Sequence, residues 1–237
     1  MKKAIGTMYL LPLPLGIGGA ESLSIAGIQK LSELDYFIAE RARTFRRFLK
    51  EIAPETNFEG IEVHEWTKGM VEEAMEALLH PLEVGRDVGI VSEAGCPGIA
   101  DPGALAVQLA HQFGYKVVPV AGPSSVLLAL MGSGFNGQNF RFNGYLPREK
   151  NNLQNKLVQL ERSVRQSGCT EIFIETPYRN DQLLDAAIQC LHQDTHLAIA
   201  ADLTLPSQMI RRDSIGNWKS EERPKLHKRP AVFLIGS

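Results

Sequence analysis

The chain is predicted to be an α/β protein of two domains, and three observations predict it. Short apolar runs of strand length alternate with stretches whose apolar residues recur at helical spacing. Loops rich in Gly and Pro follow several of those runs. The alternation continues past the middle of the chain but in a different rhythm, so the 237 residues divide into halves of ordinary domain size. The turn at Gly122-Pro123 suits the boundary, and the expected domains are 1–119 and 120–237.

In the first half, Met8–Leu11 is an apolar run ended by Pro12 and Pro14. Lys2 and Lys3 precede it, but Gly6 and the two prolines interrupt the segment after them, so the start reads as a buried first strand and not as a signal peptide. Leu23–Leu34 has helical spacing, with Ser22 or Ser24 available as a cap. Tyr36–Ala39 reads as a strand, and His64 sits on a short strand-like segment as a surface histidine. Gly69–His80 reads as an amphipathic helix with Val71, Ala74, Met75 and Leu78 on one face. Val88–Ser92 is a buried strand, Ala104–Phe113 a helix and Lys116–Val120 the next strand. This βαβα alternation favours a largely parallel sheet covered on both faces.

In the second half, Ser124–Met131 reads as helical and Phe140–Tyr145 as extended. Lys150–Gln166 is a long polar helix with Leu153, Leu157, Leu160 and Val164 as its stripe. Glu171–Glu175 and Leu197–Leu203 are strands around a helix over Asp181–Leu191, and Ala231–Gly236 is the last strand.

Composition excludes several classes. Hydrophobic residues are 44% and charged residues 22% of the chain, too apolar for a disordered polymer. Three cysteines, Cys96, Cys169 and Cys190, lack the number and spacing of a disulfide framework or a four-cysteine zinc site. No apolar run approaches the roughly 20 residues of a membrane helix, so a cytoplasmic protein is expected.

The net charge of −2 conceals a separation. Residues 41–50 carry Arg41, Arg43, Arg46, Arg47 and Lys50 with no acid, whereas residues 51–90 carry ten acids against Lys68 and Arg86. Residues 205–237 are again basic, with seven Lys or Arg against three acids. If 41–50 is helical, Arg43, Arg47 and Lys50 share one face while Phe45, Phe48 and Leu49 point to a core. Such a face can hold a phosphate backbone, and equally it can be a solvated surface balanced by the acidic stretch.

Ligands of open α/β sheets bind outside the carboxyl ends of strands, which directs attention to four loops. The first, Pro12–Ser22, half resembles a dinucleotide fingerprint, but Glu21 replaces its third glycine and the prolines oppose the tight turn. The second, Ser92–Gly103, packs three glycines and two prolines into twelve positions, the composition of backbone that approaches a ligand closely. Within it, Asp101 reads as a helix cap with Pro102 at the first helical position, and Cys96 as a space-filler. The third is Val120–Ser125, with two hydroxyls at a helix start, and the fourth is Ile174–Arg179. His192 and His196 have i,i+4 spacing, but Asp194-Thr195 reads as a helix end, so no metal site is expected.

These loops carry a family resemblance. Ser92–Gly103 resembles the Ser-Asp-Ala-Gly-x-Pro-x-x-x-Asp-Pro-Gly signature of the tetrapyrrole (corrin/porphyrin) methylase superfamily. The branch it resembles is the ribosomal RNA small subunit methyltransferase I family, which methylates a cytidine 2′-hydroxyl. Val118–Ser125 is similar to that branch's Pro-Gly-Pro-Ser segment, Phe142–Pro147 to its Gly-Phe-Leu-Pro, and Phe173–Arg179 to its Phe-Tyr-Glu-Ser-Pro-His-Arg. Ala39–Thr44 is similar to its Ala-Glu-Asp-Thr-Arg.

The resemblance implies an S-adenosylmethionine-dependent methyltransferase of two α/β domains, a homodimer, with the cofactor in the cleft between its domains. It implies that Pro12, Glu93, Ala94, Gly95, Gly122, Ser124 and Ser125 line the cofactor site, with Thr176, Pro177, Ala201, Asp202 and Leu203 from the second domain. It implies RNA as substrate; the basic stretch then supplies Arg41, Arg43 and Arg47 as candidate substrate-binding residues, with Arg46 and Lys50 beside them, and the lack of a long apolar run gives the expectation of no membrane partner. Departures from the family pattern are Glu93 for the aspartate, Arg41 for the acid after Glu40, Gly16–Glu21 for Gly-Asn-Leu-Gly-Asp, and Ala201–Leu205 for Arg-Glu-Leu-Thr-Lys.

Methyl transfer from a sulfonium is an in-line displacement, so positioning is the enzyme's main contribution. A neutral ribose hydroxyl still gains from a general base. Glu40, Glu93 and Asp202 are candidates by location; Glu40 is preferred, against the alternative that it only pairs with Arg43. Methylation of a small molecule such as a tetrapyrrole, or non-catalytic binding of cofactor or RNA, are the competing readings.

Overall fold

A computed structural model describes residues 5–55, 58–67, 69–100 and 103–237. The chain forms two compact units, Met1–Ser124 and Ser125–Ser237.

The first unit alternates strand and helix: β1 (Thr7–Leu10), α1 (Ile25–Glu33), β2 (Tyr36–Ala39), α2 (Ala42–Ile52), β3 (Glu62–Glu65), α3 (Glu72–Leu79), β4 (Val88–Val91), α4 (Ala104–Gln112) and β5 (Lys116–Pro119). Its sheet has the order β3-β2-β4-β1-β5, and every pair is parallel. Alternate residues of each strand face opposite sides and build two cores. Phe37 and Val91 join Leu31, Phe45, Phe48 and Leu49 of α1 and α2, while Ile38 and Ile90 join Met75, Leu79 and Leu109 of α3 and α4. The parallel sheet covered on both faces is as the alternation predicts.

Local chemistry sets the helix limits. Of the two candidate caps, Ser24 caps α1, its Oγ accepting the Gly27 N–H at 3.1 Å. Ser22 instead closes a 3₁₀ turn by donating to the Gly19 carbonyl. α2 is helical as its spacing predicts, with Phe45, Phe48, Leu49 and Ile52 buried and Arg43, Arg46 and Arg47 exposed. The Glu65 carboxylate accepts the Ala42 N–H at 2.8 Å, so an acid serves the positive end of α2. α3 corrects the expected apolar face: the helix starts at Glu72, and Val71 and Ala74 are exposed while Met75 and Leu79 are buried. Of the expected face Met75 and the partly buried Leu78 pack on the core with Leu79, whereas Val71 stands before the first turn as its extended cap. Asp101 and Pro102 lie outside the described residues, and Gly103 stands at the cap position of α4.

The second unit contains α5 (Ser125–Ser133), β6 (Phe140–Tyr145), α6 (Lys150–Ser167), β7 (Thr170–Ile174), α7 (Asn180–Cys190), β8 (His196–Ala201), β9 (Met209–Ser214), α8 (Ile215–Ser220) and β10 (Ala231–Gly236). Its sheet, β6-β7-β10-β8-β9, is mixed: β6 and β7 are parallel and the remaining pairs antiparallel. The predicted stripe of α6 is buried in full and packs with Leu183, Phe173, Phe233 and Trp218. α5 packs against β8, β9 and β10. The strand β9 and helix α8 are additions to the predicted elements. Among the described residues no helix is long and apolar enough to cross a membrane.

Candidate methyltransferase site

In the first unit the expected cofactor-site residues and Glu40 follow the carboxyl ends of four neighbouring strands, while Arg43 and Arg47 lie on α2. Pro12 follows β1, Glu40 and Arg41 follow β2, Glu93, Ala94 and Gly95 follow β4, and Gly122 follows β5. Because β2, β4, β1 and β5 are consecutive in a parallel sheet, these four ends line one edge.

The loops there are joined to one another by backbone. Leu13 and Gly95 exchange both hydrogen bonds, each 3.0 Å long, forming an isolated antiparallel bridge. Gly95 has a φ of +69°, and a Cβ on it would meet the Leu15 side chain at 3.1 Å and the Pro123 carbonyl at 3.4 Å. Gly122 lies so close to the Pro12 ring that a Cβ would come within 2.4 Å of it. The Cys96 thiol points at the Pro123 carbonyl, 3.3 Å away, which matches its expected space-filling place. The Ser92 hydroxyl donates to the Ala94 and Gly95 carbonyls and holds the turn. Gly95 and Gly122 let the loops after β1, β4 and β5 pack closer together than any side chain there would allow. The bridge between Leu13 and Gly95 has no local sequence signal, since it joins loops far apart in the chain.

Three carboxylates are candidates for a base, and their surroundings separate them. Glu93 faces Arg41, with Arg41 Nε 3.2 Å from Glu93 Oε1. Asp202 is buried, accepting Arg229 Nε at 2.7 Å and the Ser207 hydroxyl at 2.9 Å. Glu40 keeps one buried carboxylate oxygen, Oε2, without a hydrogen-bond partner among the described residues. Its backbone N–H donates to the Val91 carbonyl, and the Glu93 N–H donates to its carboxylate. Burial, together with the nearby charge of Glu93, raises the Glu40 pKa above the ordinary glutamate value, against the opposing pull of that N–H and Arg41. The arginine whose charge acts on Glu40 is thus Arg41, at the cap position before α2, and not Arg43. The substitution of Arg for an acid at position 41 has a partner in Glu93, a coupling visible only once β2 and β4 are neighbours.

In the second unit, Thr176 and Pro177 follow β7 and Ala201, Asp202 and Leu203 close β8 and the turn after it. The segment leading into β10 ties the two loops together. Lys228 N–H donates to the Pro177 carbonyl at 2.9 Å, Asp202 N–H donates to the Pro230 carbonyl at 3.0 Å, and Arg229 pairs with Asp202. Asp202 and Thr204 adopt left-handed conformations, with φ of +51° and +69°. Glu175 is buried, accepts the Thr176 N–H at 2.7 Å and lies 3.5 Å from Arg179. Ser124 ends the first unit and Ser125 begins α5 of the second. Among the described residues no group of three His, Cys, Asp or Glu side chains has the geometry to hold a metal ion.

Comparison with known proteins places this arrangement. Residues 11–218 match the Tetrapyrrole (Corrin/Porphyrin) Methylases. The chain is 33% identical over 210 residues to the ribosomal RNA small subunit methyltransferase I of Halalkalibacterium halodurans, covering 89% of this chain and 68% of that protein. It is 32% identical over 225 residues to the protein of the same name from Bacillus subtilis, covering 94% and 73% respectively. In fold it is similar to the methyltransferase CobJ, with a TM-score of 0.65 at 17% identity over 98% of this chain and 94% of the other. It is also similar to the uroporphyrin-III-C-methyltransferase of Thermus thermophilus, with a TM-score of 0.56 at 18% identity over 98% and 92%. The chain belongs to the tetrapyrrole (corrin/porphyrin) methylases, methyltransferases that use S-adenosylmethionine as methyl donor, and within them to the family of the ribosomal RNA small subunit methyltransferases I.

Proposed function

We propose that this protein 2′-O-methylates a ribose of small-subunit ribosomal RNA. The observation that carries the reading is the placement of Glu40: it directly follows β2 with an unpartnered buried oxygen, and two residues later α2 begins, presenting Arg43, Arg46 and Arg47 to solvent. A proton acceptor and a phosphate-binding helix face therefore leave the same strand end. Relatives at 32% and 33% identity that bear the ribosomal RNA methyltransferase name support the substrate class.

In this reading Pro12, Glu93, Ala94, Gly95, Gly122 and Ser124 bind the cofactor from the first unit. Ser125, Thr176, Pro177, Ala201, Asp202 and Leu203 bind it from the second. S-adenosylmethionine, when bound, supplies an electrophilic methyl with a good leaving group behind it. Arg41, Arg43 and Arg47 hold phosphates of the RNA and so fix the ribose. Glu40 Oε2 accepts the proton of the 2′-hydroxyl, and its raised pKa brings it nearer to the range in which a base works at neutral pH. The enzyme works in the cytoplasm as a homodimer; light scattering of the purified protein tests the dimer.

The decisive experiment supplies the protein with methyl-labelled S-adenosylmethionine and small ribosomal subunits or their RNA, then digests the RNA to nucleosides. Label is expected in one 2′-O-methylnucleoside. Label appearing instead in small molecules of a cell extract would establish the tetrapyrrole-type reading, and none anywhere would leave a binding module.

A further inference from the structure

The end of the second sheet that carries Thr176 and Pro177 also carries groups with no part in cofactor binding or proton transfer. β6 and β7 are parallel, with Tyr145 opposite Ile174, so their carboxyl ends lie together. β10 is antiparallel to both β7 and β8, so the segment entering it arrives at the same end. Stretches 145–150, 175–179 and 223–230 therefore meet there. Arg179 donates to the Arg148 carbonyl at 3.1 Å, and Asn180 donates to the Arg229 carbonyl at 2.6 Å.

The charges of this rim fall into two sets. Its acids are engaged: Glu175 with Arg179, Asp202 with Arg229, Asp185 with Arg223, Asp181 with the Leu226 N–H, and Glu149 with the Asn151 N–H at the start of α6. Arg148, Lys150, Lys225 and Lys228 are exposed and have no acidic partner among the described residues. Among the described residues, four cations without an ion-pair partner thus border one end of the sheet, against two carboxylates, Asp181 and Glu149, that are held only by backbone N–H groups.

Tyr178 stands among them, 64% exposed. Its ring makes a T-shaped contact with His227 at 5.6 Å between centroids. That contact is held by strained backbone: Lys228 has a φ of +63°, a conformation non-glycine residues adopt at a cost, while its N–H bonds to the Pro177 carbonyl. The result is an exposed aromatic ring in edge contact with His227 and flanked in sequence and at the rim by cations. An aromatic platform beside charges that track a phosphate chain is the combination that recognises unpaired nucleotides, because a base inside a duplex has no free face to stack.

We propose that this rim binds an unpaired stretch of the RNA, with a base stacked on Tyr178 and flanking phosphates held by Arg148, Lys150, Lys225 and Lys228. The inference rests on RNA being the substrate.

The test is fluorescence anisotropy of the full chain with a short labelled oligoribonucleotide and with its duplex, across a salt series. The single strand is expected to bind more tightly than the duplex. Tyr178→Ala should weaken single-strand binding about 5- to 100-fold with an unchanged salt slope, and Tyr178→Trp should retain it. Arg148→Ala with Lys225→Ala should lower the slope by about 0.7 for each cation removed. Equal melting temperatures of variants and wild type establish that folding is intact, and the charge variant reads the rim even if Tyr178→Ala folds poorly. Single-strand binding by wild type that Tyr178→Ala leaves unchanged, or a duplex bound as tightly, overturns the rim while RNA remains the substrate. No RNA binding by wild type, with label entering small molecules, overturns both.

Discussion

Arg41 and Glu93 stand 3.2 Å apart at the carboxyl ends of adjacent strands, β2 and β4, and Glu40 lies beside them. The pair engages one of two neighbouring carboxylates, while the other, Glu40, keeps a buried unpartnered oxygen. Both partners are substantially exposed, so the ion pair itself adds at most about 1 kcal/mol to stability. Its consequence lies in the electrostatics of Glu40.

Glu40→Gln separates stability from chemistry. The folded pKa of Glu40 is raised above the ordinary 4.5, first by burial and then by Glu93. Its favourable contribution is full below that ordinary value, where the carboxyl is neutral in both states, and is lost as pH rises through the folded pKa. At pH 7 the wild type therefore carries an ionised, poorly solvated group that glutamine does not. Glu40→Gln should raise the melting temperature at pH 7 and change it little near pH 4. The same variant should lose roughly 10²–10⁴-fold in methyl transfer if Glu40 is the base. Activity retained in a variant that melts higher would remove the base.

Gly122→Ala tests the close packing of the loops after β1 and β5. The added Cβ would meet Pro12 Cβ at 2.4 Å and Cγ at 2.6 Å, and a proline ring cannot rotate away. Relief requires the loops after β1 and β5 to separate, at about 1–3 kcal/mol. Melting should fall by roughly 2–4 °C per kcal/mol, and calorimetry should show weakened S-adenosylmethionine binding. Gly137→Ala is the control: nothing lies within 4 Å of its Cβ position, its backbone is not left-handed, and both measurements should match wild type.

Most elements of this fold are legible as sequence because their apolar residues face one side only. Leu153, Leu157, Leu160 and Val164 repeat at helical spacing, and Tyr36–Ala39 is continuously apolar as a strand covered on both faces must be. β9 escapes that logic. Met209–Ser214 is the edge strand of its sheet and reads Met-Ile-Arg-Arg-Asp-Ser, with charges where a central strand would be apolar. Its charges are satisfied within the strand and beyond it, Arg211 pairing with Asp213 at 3.0 Å and with Glu221 at 2.6 Å, and Trp218 of the short helix after it lies under Arg211. The candidate site divides in the same way. Glycines and prolines mark the loops after β1, β4 and β5, because backbone conformation is written in residue type. The Leu13–Gly95 bridge and the Arg41–Glu93 pair depend on strand order, which residue type does not encode.

The cysteines should be slow to react. Burial pushes the Cys190 thiol up to about 11 and also raises Cys96 and Cys169. At pH 7 essentially none of Cys190 is thiolate, the form that attacks electrophiles. Iodoacetamide at pH 7 should label the folded protein slowly, with Cys190 modification accelerating as pH approaches 11. Cys96→Ala should retain methyl transfer, since its thiol contacts the Gly122 and Pro123 carbonyls and fills the space beside them. Loss of activity in that variant would give Cys96 a chemical part.

Arg43 and Arg47 decide whether α2 is a binding face or a solvated one. Both are exposed, on the side of the helix opposite Phe45, Phe48 and Leu49, and neither forms an ion pair with an acid among the described residues. A double substitution to alanine should therefore leave the melting temperature nearly unchanged, since alanine also favours a helix. If the face holds phosphates, RNA affinity should fall, and the slope of log affinity against log salt should fall by about 0.7–0.9 for each arginine. Fewer counterions are then released on binding, so the loss is greatest at low salt and shrinks as salt rises. An unchanged slope would mean that the acidic stretch after α2 merely balances its charge and that the RNA lies elsewhere. Because Glu40 directly follows β2, the strand before α2, a reduced slope together with a raised KM and an unaltered kcat would place the arginines in positioning the RNA and leave proton transfer to Glu40.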